Sequence, residues 1–120
     1  MGNELLGSWG EQLAGTYLRR KGYRILARNY RCRWGEIDLI VENRNYLVFV
    51  EVKLRKSADF AQGREFVDYH KQQRIKLTAM HYLSAQETEK QPRFDIVEIY
   101  APQGTETRKP TINHLEDAFQ

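Results

Sequence analysis

The chain has 120 residues, 41% hydrophobic and 29% charged, with a net charge of +3. Such a composition suits one soluble domain, residues 1–120, and excludes disordered and fibrous classes. Apolar runs such as LVFV are too short to span a bilayer, no secretory pattern opens the chain, and Cys32 as the sole cysteine excludes an internal disulfide, so a cytoplasmic protein without membrane attachment is expected.

The first element, NELLGSWGEQLAGTYLRRKG, places Leu6, Leu13 and Tyr17 at helical spacing with Ala14 and Leu18 beside them, and Gly22 is its stop. The glycines inside it either weaken the helix or mark close packing. YRILARNYR alternates as a strand, with Ile25 and Ala27 on one side and Leu26 on the other. GEIDLIVENRNYLVFVEVKLR reads as two strands of a hairpin around the tetrapeptide ENRN. From about Arg64 to Ala85 a second helix carries Val67, Ile75, Thr78, Tyr82 and Leu83 on one stripe. RFDIVEIY is a further strand, APQGTETRKP a surface loop, and TINHLEDAF a last edge strand. Helix, three strands, helix and one or two strands imply a mixed sheet with helices packed on it.

Charge is segregated along this order. Residues 1–35 hold seven Lys or Arg against two acids, residues 36–52 one against four, residues 53–76 seven against three, and residues 77–120 four against seven. Basic blocks bracketing an acidic centre fit a phosphate-rich partner, although single cations on solvent faces are the commoner case.

VFVEVKLRK poses the central chemical question, because Glu51 and Lys53 stand where a core strand would continue apolar. Strand alternation puts both on one face with Leu47 and Phe49. A two-residue turn at Asn43-Arg44 pairs Asp38 with Phe49, which leaves Asp38 diagonal to Glu51; an odd-length loop would send Asp38 to the other face. Two carboxylates so placed repel unless a positive charge lies between them, supplied by Lys53 or by a hard divalent cation with oxygen ligands. An exposed Glu-x-Lys ion pair beside a polar turn explains the same letters equally well. Glu11 shares a helical stripe with Ala14 and Leu18 and can face the sheet, as a further metal ligand or as a first-turn acid favoured by the helix dipole. Lys71, between Val67 and Ile75, either reaches a phosphate or runs its stem past the core.

GEIDLI followed by LVFVEVKLRK resembles the PD-(D/E)XK nuclease superfamily. With GSWGEQLAGTYLRRKGYRILARNYR, VDYHKQQRI and INHLEDAF, most of the chain resembles the YraN-like family of uncharacterised bacterial proteins. The resemblance implies a restriction-endonuclease-like αβββαβ core. It also implies that Asp38, Glu51 and the Val52 carbonyl are ligands of Mg²⁺ or Mn²⁺, and that Lys53 is the catalytic lysine. Glu11 matches the first-helix glutamate of the similar archaeal Holliday-junction resolvases, and Ile37 stands where the superfamily's name has proline.

The leading expectation is therefore a metal-dependent DNA endonuclease selective for nucleic-acid structure, as a homodimer by resemblance to the resolvases. Arg19, Arg20, Arg31, Arg33, Arg55, Lys56 and Lys71 are its expected phosphate contacts, and Trp34 and Tyr30 either stack on unpaired bases or pack a turn. A catalytically silent nucleic-acid-binding or scaffold protein on the same fold is the alternative, and action on RNA or a small phosphodiester stays open. His70, His81, His114 and Cys32 lack zinc-ligand spacing, no phosphate-binding glycine loop is present, and Cys32 is read as a buried or turn cysteine.

Overall fold

The computed structural model describes residues 3–56 and 68–120. Helix α1 spans Asn3–Arg20. It closes through a paired stop: Gly22, at φ +97°, donates to the Arg19 carbonyl at 3.0 Å, and Tyr23 donates to that of Leu18 at 3.0 Å. Tyr23 and Leu18 then pack in one core cluster, the apolar contact that completes this kind of cap.

Strands β1 (Arg24–Cys32), β2 (Gly35–Glu42) and β3 (Tyr46–Arg55) lead through α2 (Tyr69–Leu83) to β4 (Gln91–Tyr100) and β5 (Thr111–Phe119). They form one five-stranded sheet in chain order. β3 and β4 run parallel; the other neighbours are antiparallel. The expected mixed sheet with two helices is thus present, and TINHLEDAF is its edge strand. The helix start expected at Arg64, and Val67 with it, lie outside the described residues. Asp68 caps the described start of α2, its carboxylate accepting the Lys71 N–H at 2.9 Å.

The helices cover opposite faces. Ala14 and Leu18 of α1 pack with Leu39, Val41, Val48, Val50, Val97 and Ile99. Ile75 and Ala79 of α2 pack with Ile40, Leu47, Phe49 and Ile96. β3 is therefore apolar on both sides, which accounts for its unbroken LVFV run. Gly10 and Gly15 mark close packing: an added Cβ would lie 3.1 Å from Leu54 at the first and 3.1 Å from Ile25 at the second.

Two sequence expectations are corrected. A bulge shifts the β1 register between Ile25 and Ala27, so Ala27 joins Leu26 on the α2 side while Ile25 packs towards α1. The hairpin turn is Arg44-Asn45, because the Asn43 side-chain oxygen accepts the N–H groups of Asn45 at 3.0 Å and Tyr46 at 2.8 Å and keeps Asn43 in the ladder. Phe49 consequently pairs with Ile40 instead of Asp38. The loop is still even, so the face of Asp38 is as expected, but the register moves by two residues.

Candidate active site

That shift decides the site. The β2–β3 ladder ends at Leu39 and Val50, and continuing it would set Asp38 opposite Glu51. Beyond the last pair, the Asp38 carboxylate takes over the role of a backbone acceptor and receives the Val52 N–H at 2.9 Å. β2 and β3 part there, and a cavity of about 250 Å³ opens, lined by Gly35, Glu36, Asp38, Glu51, Lys71, Arg74 and Ile75.

The Glu51 side chain in this cavity is only 10% exposed. Burial, then repulsion from Asp38, push its pKa from 4.5 up to about 7, against the opposing pull of Lys71 and Lys53. The Lys71 ammonium lies 3.3 Å from it. Lys53, on the same face of β3, has a pKa below the ordinary lysine range, first through burial and then through its hydrogen bond to and repulsion from Lys71. Lys71 moves the other way: Glu51 and its bond to Lys53 outweigh burial and raise it. Glu11 approaches Asp38 from α1; burial and then Asp38 raise its pKa, opposed by a hydrogen bond to Asn29.

Asp38, Glu51, Lys53, Lys71 and Glu11 are therefore brought together from four elements. Among the described residues no set of three or more His, Cys, Asp or Glu forms a ready metal cluster. The Asp38–Glu51 pair nevertheless offers the oxygen donors a hard cation takes, two carboxylates that repel each other, one of them with its side chain 10% exposed. Val52 adds its N–H to Asp38, and its side chain packs towards α1.

The expected phosphate contacts are distributed unevenly. Arg19 and Arg20 sit in the last turn of α1, where they complement the helix dipole, two turns beyond Glu11. Arg31 pairs with Glu36 at 3.2 Å, and Arg33 lies over the Trp34 ring at 4.5 Å. Arg55 faces the buried Glu98 at 3.4 Å, whereas Lys56 is exposed just beyond β3. Arg74 lines the cavity one turn after Lys71, and sequence reasoning did not single it out. Its spacing of three from Lys71 was the available signal. A second polar cluster was also missed. Asp95 accepts from Arg93 twice at 2.8 Å and from the Asp117 N–H at 3.0 Å, and it lies 2.7 Å from His114 Nε2.

Sheet, helices and pocket together define a mixed α/β protein whose acidic and basic side chains converge where two central strands separate. The chain belongs to the family described as uncharacterised protein family UPF0102, which matches residues 10–99. It is 47% identical to the UPF0102 protein TTE1452 of Caldanaerobacter subterraneus subsp. tengcongensis, over 95% of this chain and 93% of the relative. UPF0102 proteins of Syntrophomonas wolfei and Alkaliphilus oremlandii are each 44% identical, over 98% of this chain and 99% of theirs. No helix among the described residues is long and apolar enough to cross a membrane.

Proposed function

We propose that this chain is a metal-dependent endonuclease that hydrolyses DNA phosphodiester bonds on a restriction-endonuclease-like core. The observation that carries the reading is the Glu51 carboxyl, buried beside Asp38 at the parting of β2 and β3 and faced by two lysines. Asp38 and Glu51 would hold Mg²⁺ or Mn²⁺, with Glu11 close by. When bound, the cation polarises a phosphoryl oxygen and acidifies water. Lys53 is half-buried and its ammonium is disfavoured, so it can orient an attacking water or stabilise charge developing on the phosphate. Lys71 neutralises Glu51 while the carboxylates have no other counter-charge, and turns to a phosphate oxygen when they do. One wall of the cavity is acidic and the other cationic, which suits a phosphodiester bridging them.

The 3.3 Å contact of Lys71 with Glu51 favours a second reading, a catalytically silent nucleic-acid-binding protein in which that ion pair closes the pocket. A labelled panel of single-stranded, duplex, flap and four-way-junction DNA, with RNA, in Mn²⁺ or EDTA separates the two. The nuclease reading expects metal-dependent cutting that is lost in Glu51→Gln and Lys53→Ala. Absence of cutting by folded wild type, or equal cutting by the variants, would overturn it.

A further inference from the structure

The hairpin tip between β1 and β2 is Arg33-Trp34, closed by the pairing of Cys32 with Gly35. Two-residue tips ordinarily carry Asn, Asp or Gly, and an indole there contributes nothing to the turn. Trp34 is nevertheless 39% exposed, a large aromatic surface facing water. The guanidinium of Arg33 lies 4.5 Å from its ring centre and holds the ring as a platform.

This tip leads directly into the cavity. Gly35 and Glu36, the next two residues, line it. Gly35 also seats the tip against α2: a Cβ there would lie 3.3 Å from Thr78 Oγ1 and 3.8 Å from the Arg74 side chain. Arg74 lines the same cavity, and among the described residues its guanidinium enters no ion pair. Lys71 pairs with Glu51, and Arg74 is the guanidinium among the residues lining this cavity, the group whose fork can grip a phosphate with two donors. Tyr30, the other aromatic near the tip, is engaged: its hydroxyl is 2.6 Å from His81 Nδ1, and its ring meets Tyr82 edge-on at 5.2 Å.

An exposed indole thus stands one residue from the rim of a cavity of about 250 Å³ that the Arg74 guanidinium lines. We infer that the pocket takes a phosphodiester next to an unpaired base, with Trp34 stacking on that base and Arg74 holding a flanking phosphate. The substrate class is therefore a single-stranded segment or the unpaired arm of a branched structure, not continuous duplex, whose bases are already stacked on one another. This rests on reading the pocket as a phosphodiester site, and it is tested without cleavage.

Anisotropy of end-labelled oligonucleotides in EDTA, at one fixed salt concentration, provides the test. The probes are a single strand, a strand of the same length made of abasic residues, and the blunt duplex. Wild type binds the base-bearing strand most tightly. Trp34→Ala weakens it about tenfold and leaves the abasic strand unchanged, while Trp34→Phe retains most of the affinity. Arg74→Gln weakens the base-bearing and abasic strands alike, and the duplex less. Indole emission is quenched by the base-bearing strand in wild type and not in Trp34→Phe. Equal loss for base-bearing and abasic strands in Trp34→Ala, or tighter binding of duplex by wild type, would overturn the inference. Base-dependent binding without any cutting in Mn²⁺ would refute the nuclease and leave this inference standing. Cutting without base-dependent binding would do the reverse.

Discussion

Replacing Glu51 by glutamine should stabilise the metal-free protein at the pH where wild type would need its carboxylate charged. The folded-state pKa is raised from 4.5 to about 7, so the folded protein holds a proton that the unfolded chain has already released. Below about pH 4.5 the carboxyl is neutral in both states and favours neither. As pH climbs through the interval to about 7, wild type progressively loses stability, and above it the loss is about 3 kcal/mol. Glutamine has the shape of the protonated acid and never ionises, so Glu51→Gln escapes that loss. Urea unfolding in EDTA across this range should show matching midpoints at acid pH and a midpoint gap in favour of the variant that opens towards about pH 8. Added Mn²⁺ should narrow the gap by stabilising wild type alone. A variant no more stable than wild type above about pH 7, or a gap that ignores pH, would refute the burial and repulsion argued for Glu51.

Lys71→Gln removes the nearest charge opposing that shift, so the Glu51 side-chain resonance should titrate at a higher pH than in wild type by carbon-detected NMR. Asp95→Ala should cost about 3–5 kcal/mol in thermal or urea unfolding, since it strands the buried Arg93 and His114 together. In wild type the hydrogen bond to His114, then those to Arg93, hold Asp95 below its ordinary 3.8 despite burial. Its contribution is thus present above that value and lost as pH falls through the lowered pKa, which the acid limb of a pH-stability curve should report. Gly22→Ala should cost about 1 kcal/mol, because φ +97° is unfavourable for any residue with a Cβ.

Much of this was legible in the sequence for physical reasons that can be named. Periodicity gave both helices and each strand, since burial imposes a repeat of 3.6 or 2 on the letters. The even hairpin loop gave the shared face of Asp38, Glu51 and Lys53. Register was not legible, because Asn43 can stand inside or outside a turn, and only its side-chain bonds to Asn45 and Tyr46 decide. Nor could spacing separate functional from structural charge. Asp95 and Glu98 interrupt the apolar run of β4 just as Glu51 and Lys53 interrupt β3. The difference lies in their partners: Asp95 is surrounded by donors that favour its charge, and Glu98 accepts from Asn113 at 2.9 Å and faces Arg55. Glu51 instead has a second carboxylate for a neighbour. Of the partners of Asp95 and Glu98, only Arg93 is local; His114, Asp117 and Asn113 come from β5 and Arg55 from β3, distances along the chain that no local pattern contains.

The parallel pairing of β3 with β4 also bears on how the protein is made. β1, β2 and β3 are joined by tight hairpins and can zip locally, but β4 reaches β3 only after residues 56–90 have closed as a crossover. Long closures are the slow events of folding. Lys71 rides on that crossover while Glu51 waits at the end of β3, so the two charges meet only when the last large loop has closed. During refolding, any probe of their encounter should therefore rise with the slowest phase, and a chain released early would carry a three-stranded hairpin sheet without the Lys71–Glu51 pair.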